Sequence, residues 1–243
     1  MSLNIAAGRI TLARTDSTNA EAFRRAPDLK QPLWILADEQ SAGRGRRARP
    51  WVSPIGNFYG TLAMRVTEPP ATVALRSFAA ALALRDAFVA ITGLADNFTL
   101  KWPNDVLLNG GKVAGILLEA SGDTLAIGIG VNLIGSPPPS AVEPGATPPV
   151  NLLAETGLRL TPNAFLDHLA PAFAAREASF QSQGFGPLRQ DWLAHAARLG
   201  EIIIARTGTE TRQGVFESID DEGNLILRMA STTLAIPAAE VFF

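Results

Sequence analysis

Gln40-Ser-Ala-Gly-Arg-Gly-Arg-Arg-Ala-Arg-Pro-Trp51 concentrates four arginines and two glycines in one short segment. The glycines and the proline make it a poor helix, and the crowded like charges make it a poor strand, so it reads as a loop. The apolar run Leu33-Trp-Ile-Leu-Ala37 before it and Asn57 to Val66 after it have the character of buried strands. Sheet therefore tethers the loop at both ends, which suits a binding loop better than a free tail. Gly43 and Gly45 let the backbone approach a ligand, while Arg44, Arg46, Arg47 and Arg49 supply permanently charged donor forks that match phosphate or carboxylate. Taken alone, the segment fits an anion-binding loop and a solvated or nucleic-acid-binding stretch equally well.

Composition separates those two. At 243 residues and 47% hydrophobic content the chain can bury one substantial core with a small appended unit. A formal net charge of -2 argues against a protein whose main partner is nucleic acid, because a backbone binder needs broad positive potential. The chain has no cysteine, so disulfides, thiol nucleophiles and zinc-thiolate sites are excluded, and the cytoplasm is the expected compartment. No apolar run approaches the length of a bilayer span, and the N-terminus lacks a signal-peptide pattern. The two histidines, His168 and His195, stand apart from any acidic or metal-ligand pattern and are expected to be structural or surface residues.

In chain order, Ile10 to Arg14 predicts a strand, and Thr15-Asp-Ser-Thr-Asn19 offers capping side chains for a helix to about Ala26, with Glu21 as a capping-box partner. Capping alone explains Ser17, Thr18 and Asn19, although a helix start of this kind also suits a small polar ligand. Thr72 to Ile91 predicts one long buried helix stopped at Gly93. A strand at Phe98 to Trp102 precedes a hairpin of Val106 to Leu108 and Lys112 to Ala120 turning at Asn109-Gly-Gly111. The strand Thr124 to Ile134 alternates glycines at Gly128 and Gly130, which serves either close approach of a ligand or tight sheet packing. Gly135 to Val150 is proline-rich and expected to be a mobile surface loop. Helices follow at Asn151 to Glu155, Asn163 to Gln183, with Pro171 expected to kink or divide it, and Pro187 to Ala197. From Glu201 onward, short β-type runs predict a small all-β barrel.

Only three lysines occur, and two of them, Lys101 and Lys112, flank the turn and hairpin after Phe98. A compact ammonium near an arginine loop suits charge developing on a carboxylate or α-phosphate. Gly43-Arg-Gly-Arg-Arg-Ala-Arg-Pro-Trp51, Ser53-Pro-Ile-Gly-Asn57, Lys101-Trp-Pro-Asn-Asp105, Lys112-Val-Ala-Gly-Ile-Leu117 and Gly128-Ile-Gly-Val-Asn132 follow one another in this order. Together they resemble biotin protein ligase, from about Thr15 to the C-terminus.

The resemblance implies an α+β fold. Residues 1-198 would form a catalytic domain like that of class II aminoacyl-tRNA synthetases, a mixed or antiparallel sheet flanked by helices. Residues 199-243 would form an SH3-like β-barrel. It implies an ATP-dependent ligase that activates biotin as biotinoyl-5'-AMP, with Mg²⁺, and transfers it to a lysine of a biotin carboxyl carrier domain. The protein would be a monomer or homodimer with neither nucleic-acid nor membrane partners. By the same resemblance Ser17, Thr18, Asn19, Gln40, Arg44, Gly45, Arg46, Lys112 and Gly115 would surround biotin. Arg44, Arg46, Arg47, Arg49, Trp51, Asn104, Lys112 and Asn132 would surround ATP or the adenylate. Arg46, Lys112 and Asp105 would act in catalysis.

Two departures stand out. Ala48 occupies a position where relatives commonly carry glycine, and is expected to be accommodated at negative φ. About sixteen residues precede Ser17, too few for the DNA-binding domain of repressor-type relatives, so no repressor function is expected. Lipoate or octanoate ligases of the same fold would lack the arginine loop.

Overall fold

Twelve strands and six α-helices are found among residues 7–143, 145–208 and 210–243, which the computed structural model describes. The first six residues, Pro144 of the proline-rich segment and Thr209 lie outside the described residues. In order the elements are β1 (Gly8–Thr15), α1 (Thr18–Arg25), β2 (Leu33–Gln40), β3 (Phe58–Arg65), α2 (Pro70–Ala74) and α3 (Arg76–Thr92). Next come β4 (Phe98–Lys101), β5 (Asp105–Leu108), β6 (Gly111–Ser121) and β7 (Thr124–Val131). The helices α4 (Leu152–Thr156), α5 (Pro162–Gln183) and α6 (Phe185–Ala194) lead to β8 (Ile202–Arg206), β9 (Thr211–Ile219), β10 (Leu225–Arg228), β11 (Thr233–Ile236) and β12 (Glu240–Phe242).

Strand alternation sets the layers. The first sheet has the order β1-β2-β3-β7-β6-β5-β4, parallel only between β1 and β2 and antiparallel elsewhere. One face carries Trp34, Leu36, Leu62, Ile127 and Ile116, which join a large apolar core with Phe88 of α3 and Phe165 and Phe173 of α5. Phe88 stacks on Phe98 with ring centroids 4.8 Å apart, fixing α3 against β4. On the opposite face Ile35, Ala63 and Ala126 pack beneath Ala22 of α1 in a smaller cluster. Because α1 is short, it covers only part of that face and leaves β6 and β7 beyond its N-terminus open.

Several expectations need correction. The predicted long helix is broken into α2 and α3 at Leu75, although Gly93 does stop it, with φ of 73°. Pro171 does not divide α5, which runs unbroken through it. The expected small C-terminal β unit is present as a five-stranded antiparallel sheet, order β11-β10-β9-β8-β12, with β12 additional to the short runs evident in the sequence. This sheet docks on the body through Trp102, whose Nε1 donates to Gly223 O at 3.1 Å.

Candidate active site

The open part of the α1 face is a cavity of about 470 Å³, and all fifteen residues singled out above line it. One end is neutral and polar. Ser17, Thr18 and Asn19 are buried at the start of α1, yet Ser17 makes no side-chain capping bond, so the capping explanation fails. Glu21 pairs instead with Arg24 and Arg25, each at 2.7 Å. Gln40 Oε1 accepts from Thr18 N at 2.8 Å and Oγ1 at 3.1 Å. The Thr61 hydroxyl donates to Asn19 Oδ1 at 2.6 Å, and Asn19 Nδ2 donates to Glu119 Oε2 at 2.8 Å. These buried groups therefore hold one another in fixed orientations, as a small polar ligand requires.

The floor explains the alternating glycines. A Cβ at Gly128 would lie 2.3 Å from Asn19 Oδ1, and one at Gly130 would lie 2.5 Å from Trp51 Cε2. Side chains of the site thus lie directly on the sheet where its own side chains are missing. Gly115 belongs to the same floor, with a Cβ there 3.1 Å from Trp51 and 3.4 Å from Lys112 Nζ.

The arginine loop is a closed hairpin. Arg44 bridges Pro50, Gly45 N donates to Arg49 O at 2.8 Å, and Trp51 N donates to Gly43 O at 2.9 Å. At its tip Arg47 and Ala48 both have φ of 57°. The negative φ expected for Ala48 is therefore wrong, because the hairpin reverses through two left-handed residues. Arg44 pairs with Glu119 at 3.1 Å, Arg47 with Glu240 at 3.3 Å, and Arg49 with Glu143 at 3.1 Å and also with Glu240. Arg46 has no carboxylate partner among the described residues. It is half-buried, its Nη1 lies 3.4 Å from Ala239 O, and burial holds its guanidinium below the usual arginine range.

Behind the loop, Lys112 Nζ pairs with Asp105 Oδ1 at 2.7 Å and lies 5.6 Å from the Trp51 ring centroid. Lys101 is buried, donates to Thr147 Oγ1 at 2.6 Å, and is pushed below the usual lysine range by that burial. Asn104 Nδ2 donates to Ile116 O, and Asn132 Nδ2 donates to Val150 O at 3.0 Å. The proline-rich segment proves to be a wall of the site and not merely a surface loop. Lys112 N donates to Pro148 O at 2.8 Å, and Glu143 and Thr147 face the cavity. Sequence reasoning also missed Thr61, Glu119, Lys101 as a cavity residue, and residues 239–242 of the C-terminal sheet. Of these only Lys101 carried a signal, through the scarcity of lysine.

Buried neutral polar groups at one end, a concentration of cationic side chains at the other and a floor stripped of side chains between them suit a small polar molecule bound beside an anion. Comparison with known proteins identifies the class. Residues 11–133 match the model of the "Biotin/lipoate A/B protein ligase family", and residues 199–243 match "Biotin protein ligase C terminal domain". The chain is 60% identical over 237 residues to a biotin--[acetyl-CoA-carboxylase] ligase of Paracoccus denitrificans, covering 96% of this chain and 99% of that one. It is 31% identical to the corresponding ligase of Mycobacterium tuberculosis, over 95% of this chain and 86% of that one. The biotin protein ligase of Aquifex aeolicus in complex with biotin and ATP superposes with a TM-score of 0.84 at 25% identity, covering 96% and 97% of the two chains. The chain belongs to the biotin protein ligase family and is an enzyme of that class.

Proposed function

We propose that the protein condenses biotin with ATP to biotinoyl-5'-AMP and transfers the biotinoyl group to a lysine of a biotin carboxyl carrier domain in the cytoplasm. The observation that carries this reading is Arg46, a half-buried guanidinium without a carboxylate partner among the described residues. It shares the cavity with Lys101 and Lys112, and Asp105 already serves Lys112. Arginine cannot shed its charge by deprotonation, so a partly desolvated one that donates to a neutral carbonyl, Ala239 O, and has no carboxylate partner among the described residues favours an incoming anion. The Aquifex relative is described with biotin and ATP, and the Paracoccus relative is named for a carboxylase, which supports these substrates and this acceptor.

The biotin carboxylate oxygen attacks the α-phosphorus, the new O–P bond forms, and the bond to pyrophosphate breaks. Arg46 and Lys112 stabilise the charge that grows on the α-phosphoryl oxygens, while Ser17, Thr18, Asn19 and Gln40 hold the polar ring of biotin. The other residues assigned to the adenylate, Arg44, Arg47, Arg49, Trp51, Asn104 and Asn132, shape and cover the cavity together with Gly45 and Gly115 from the biotin set. Trp51 and the loop exclude water from the mixed anhydride. The acceptor amine then attacks the anhydride carbonyl and expels AMP, and Asp105 orients that amine and takes its proton. Among the described residues no three His, Asp or Glu side chains converge on a metal position. Magnesium would enter as Mg·ATP, with the substrate phosphates supplying ligands. Residues 1-198 serve as the catalytic domain, and residues 199-243 as a β domain that closes one wall of its cavity.

Incubation with labelled biotin, Mg·ATP and a purified carrier domain tests the reading. Label is expected in the carrier only when ATP is present, and as enzyme-bound adenylate when the carrier is omitted. Preferential use of lipoate or octanoate under the same conditions would overturn it.

A further inference from the structure

Glu119 carries none of the roles assigned above, yet it joins two parts of the cavity that lie far apart in sequence. It projects from β6 on the same face as Leu117 and Gly115 and is paired across the sheet with Ala126. Its Oε2 accepts from Asn19 Nδ2 at 2.8 Å and from Arg44 Nη2 at 3.1 Å. Its Oε1 accepts from Arg44 Nη2 at 3.1 Å and Nε at 3.3 Å. Asn19 is thereby fixed from both ends, because Thr61 donates to its Oδ1 and Glu119 accepts from its Nδ2. Arg44 stands at the base of the arginine hairpin, bridged to Pro50 on the opposite leg, so whatever holds Arg44 holds both legs.

We propose that Glu119 is a positioning residue that ties the arginine loop to the neutral end of the cavity, with Arg44 as the pin of the loop and Arg46 as its anion-binding side chain. A planar guanidinium spanning both oxygens of one carboxylate sets direction as well as distance. The remaining hydrogen bond, donated by Asn19, makes the orientation of the loop depend on the same carboxylate that orients the biotin-side amide. The tether itself is independent of the ligase reading. Its effect on adenylate rests on that reading.

The test uses Glu119→Ala and Arg44→Ala, singly and together, with Glu119→Gln as the variant that keeps an acceptor for Asn19 but loses the charge. In the ligand-free proteins, tryptic cleavage within the loop should accelerate roughly tenfold in each single variant and no further in the double variant, as expected for two partners in one contact. With biotin and Mg·ATP, adenylate dissociation should accelerate by a similar factor with the same lack of additivity, whereas Arg46→Ala should add its effect in full. Where Glu119→Ala fails to fold, Glu119→Gln alone should still open the loop. Additive effects of Glu119→Ala and Arg44→Ala, or a wild-type cleavage rate in Glu119→Gln, would overturn the proposal. Loop opening as expected in a protein that forms no adenylate would sink the ligase reading and leave the tether standing.

Discussion

Ala48 follows Arg47 in the left-handed region, both at φ of 57°. A side chain there costs about 1 kcal/mol or more relative to glycine, against roughly half that gained from a less flexible unfolded chain. Ala48→Gly is therefore expected to favour the closed hairpin and to slow biotinoyl-adenylate dissociation by a small factor, measured by ligand chase. An alanine at the negative φ expected from the sequence would instead make Ala48→Gly slightly weakening or neutral, and nothing in the sequence distinguishes the two conformations. Lys112 is likewise less exposed than a hairpin residue suggests, with 29% side-chain exposure and Asp105 as its partner. Lys112→Ala should lower pyrophosphate release about a hundredfold or more, the usual cost of removing a group aimed at transition-state charge. It should also lower the melting temperature by a few degrees, because Asp105 loses its partner. Unchanged pyrophosphate release would remove Lys112 from the chemistry. Thr61 and Glu119 were illegible for a different reason. A threonine and a glutamate at alternating strand positions are ordinary, and only the fold brings Asn19 between them.

The pair β6 and β7 forms the floor of the site, and its glycines divide the work. Gly128 lies under Asn19 and Gly130 under Trp51, with no room for a Cβ at either. Gly128→Ala should raise the KM for biotin with little change in that for ATP, and Gly130→Ala should do the opposite, because each displaces a different side chain. Steady-state kinetics with each substrate varied in turn will decide, and equal losses for both would mean that the sheet itself had shifted. Most strands and turns were legible because periodicity and glycine punctuation report local conformation. The Asn109-Gly110 turn has both residues at positive φ, as its sequence demands. The break at Leu75, the passage of α5 through Pro171 and the three-residue β12 were not legible. Each is decided by packing or pairing with distant elements, which local patterns do not encode.

Across the whole molecule, the C-terminal sheet meets the arginine loop and the proline-rich wall through carboxylates. Arg206 pairs with Glu143 and with Glu240, the latter at 2.7 Å, and Glu240 also receives Arg47 and Arg49. Burial raises the Glu240 carboxyl, but hydrogen bonds from Arg206 and Arg49 outweigh it and hold the group below the usual glutamate range. The hydrogen bond from Arg206 holds Glu143 below it too. A carboxyl with a depressed folded-state pKa binds its proton more readily when unfolded, so its stabilisation is present above the unfolded pKa and lost as pH falls through the folded one. The melting temperature should accordingly hold near pH 6 and fall below about pH 4, and Glu240→Gln should flatten that acid limb. An acid limb identical in the variant would show that other carboxylates govern it. Residues 239–242 also wall the cavity that Ser17 opens at the other end of the chain. A chain in which β12 has not docked keeps the arginine hairpin and the glycine floor but lacks that wall, so the place where the proposed anhydride would form stands open to solvent. A closed cavity therefore requires the short pairing of β12 with β8, however well formed the first sheet is.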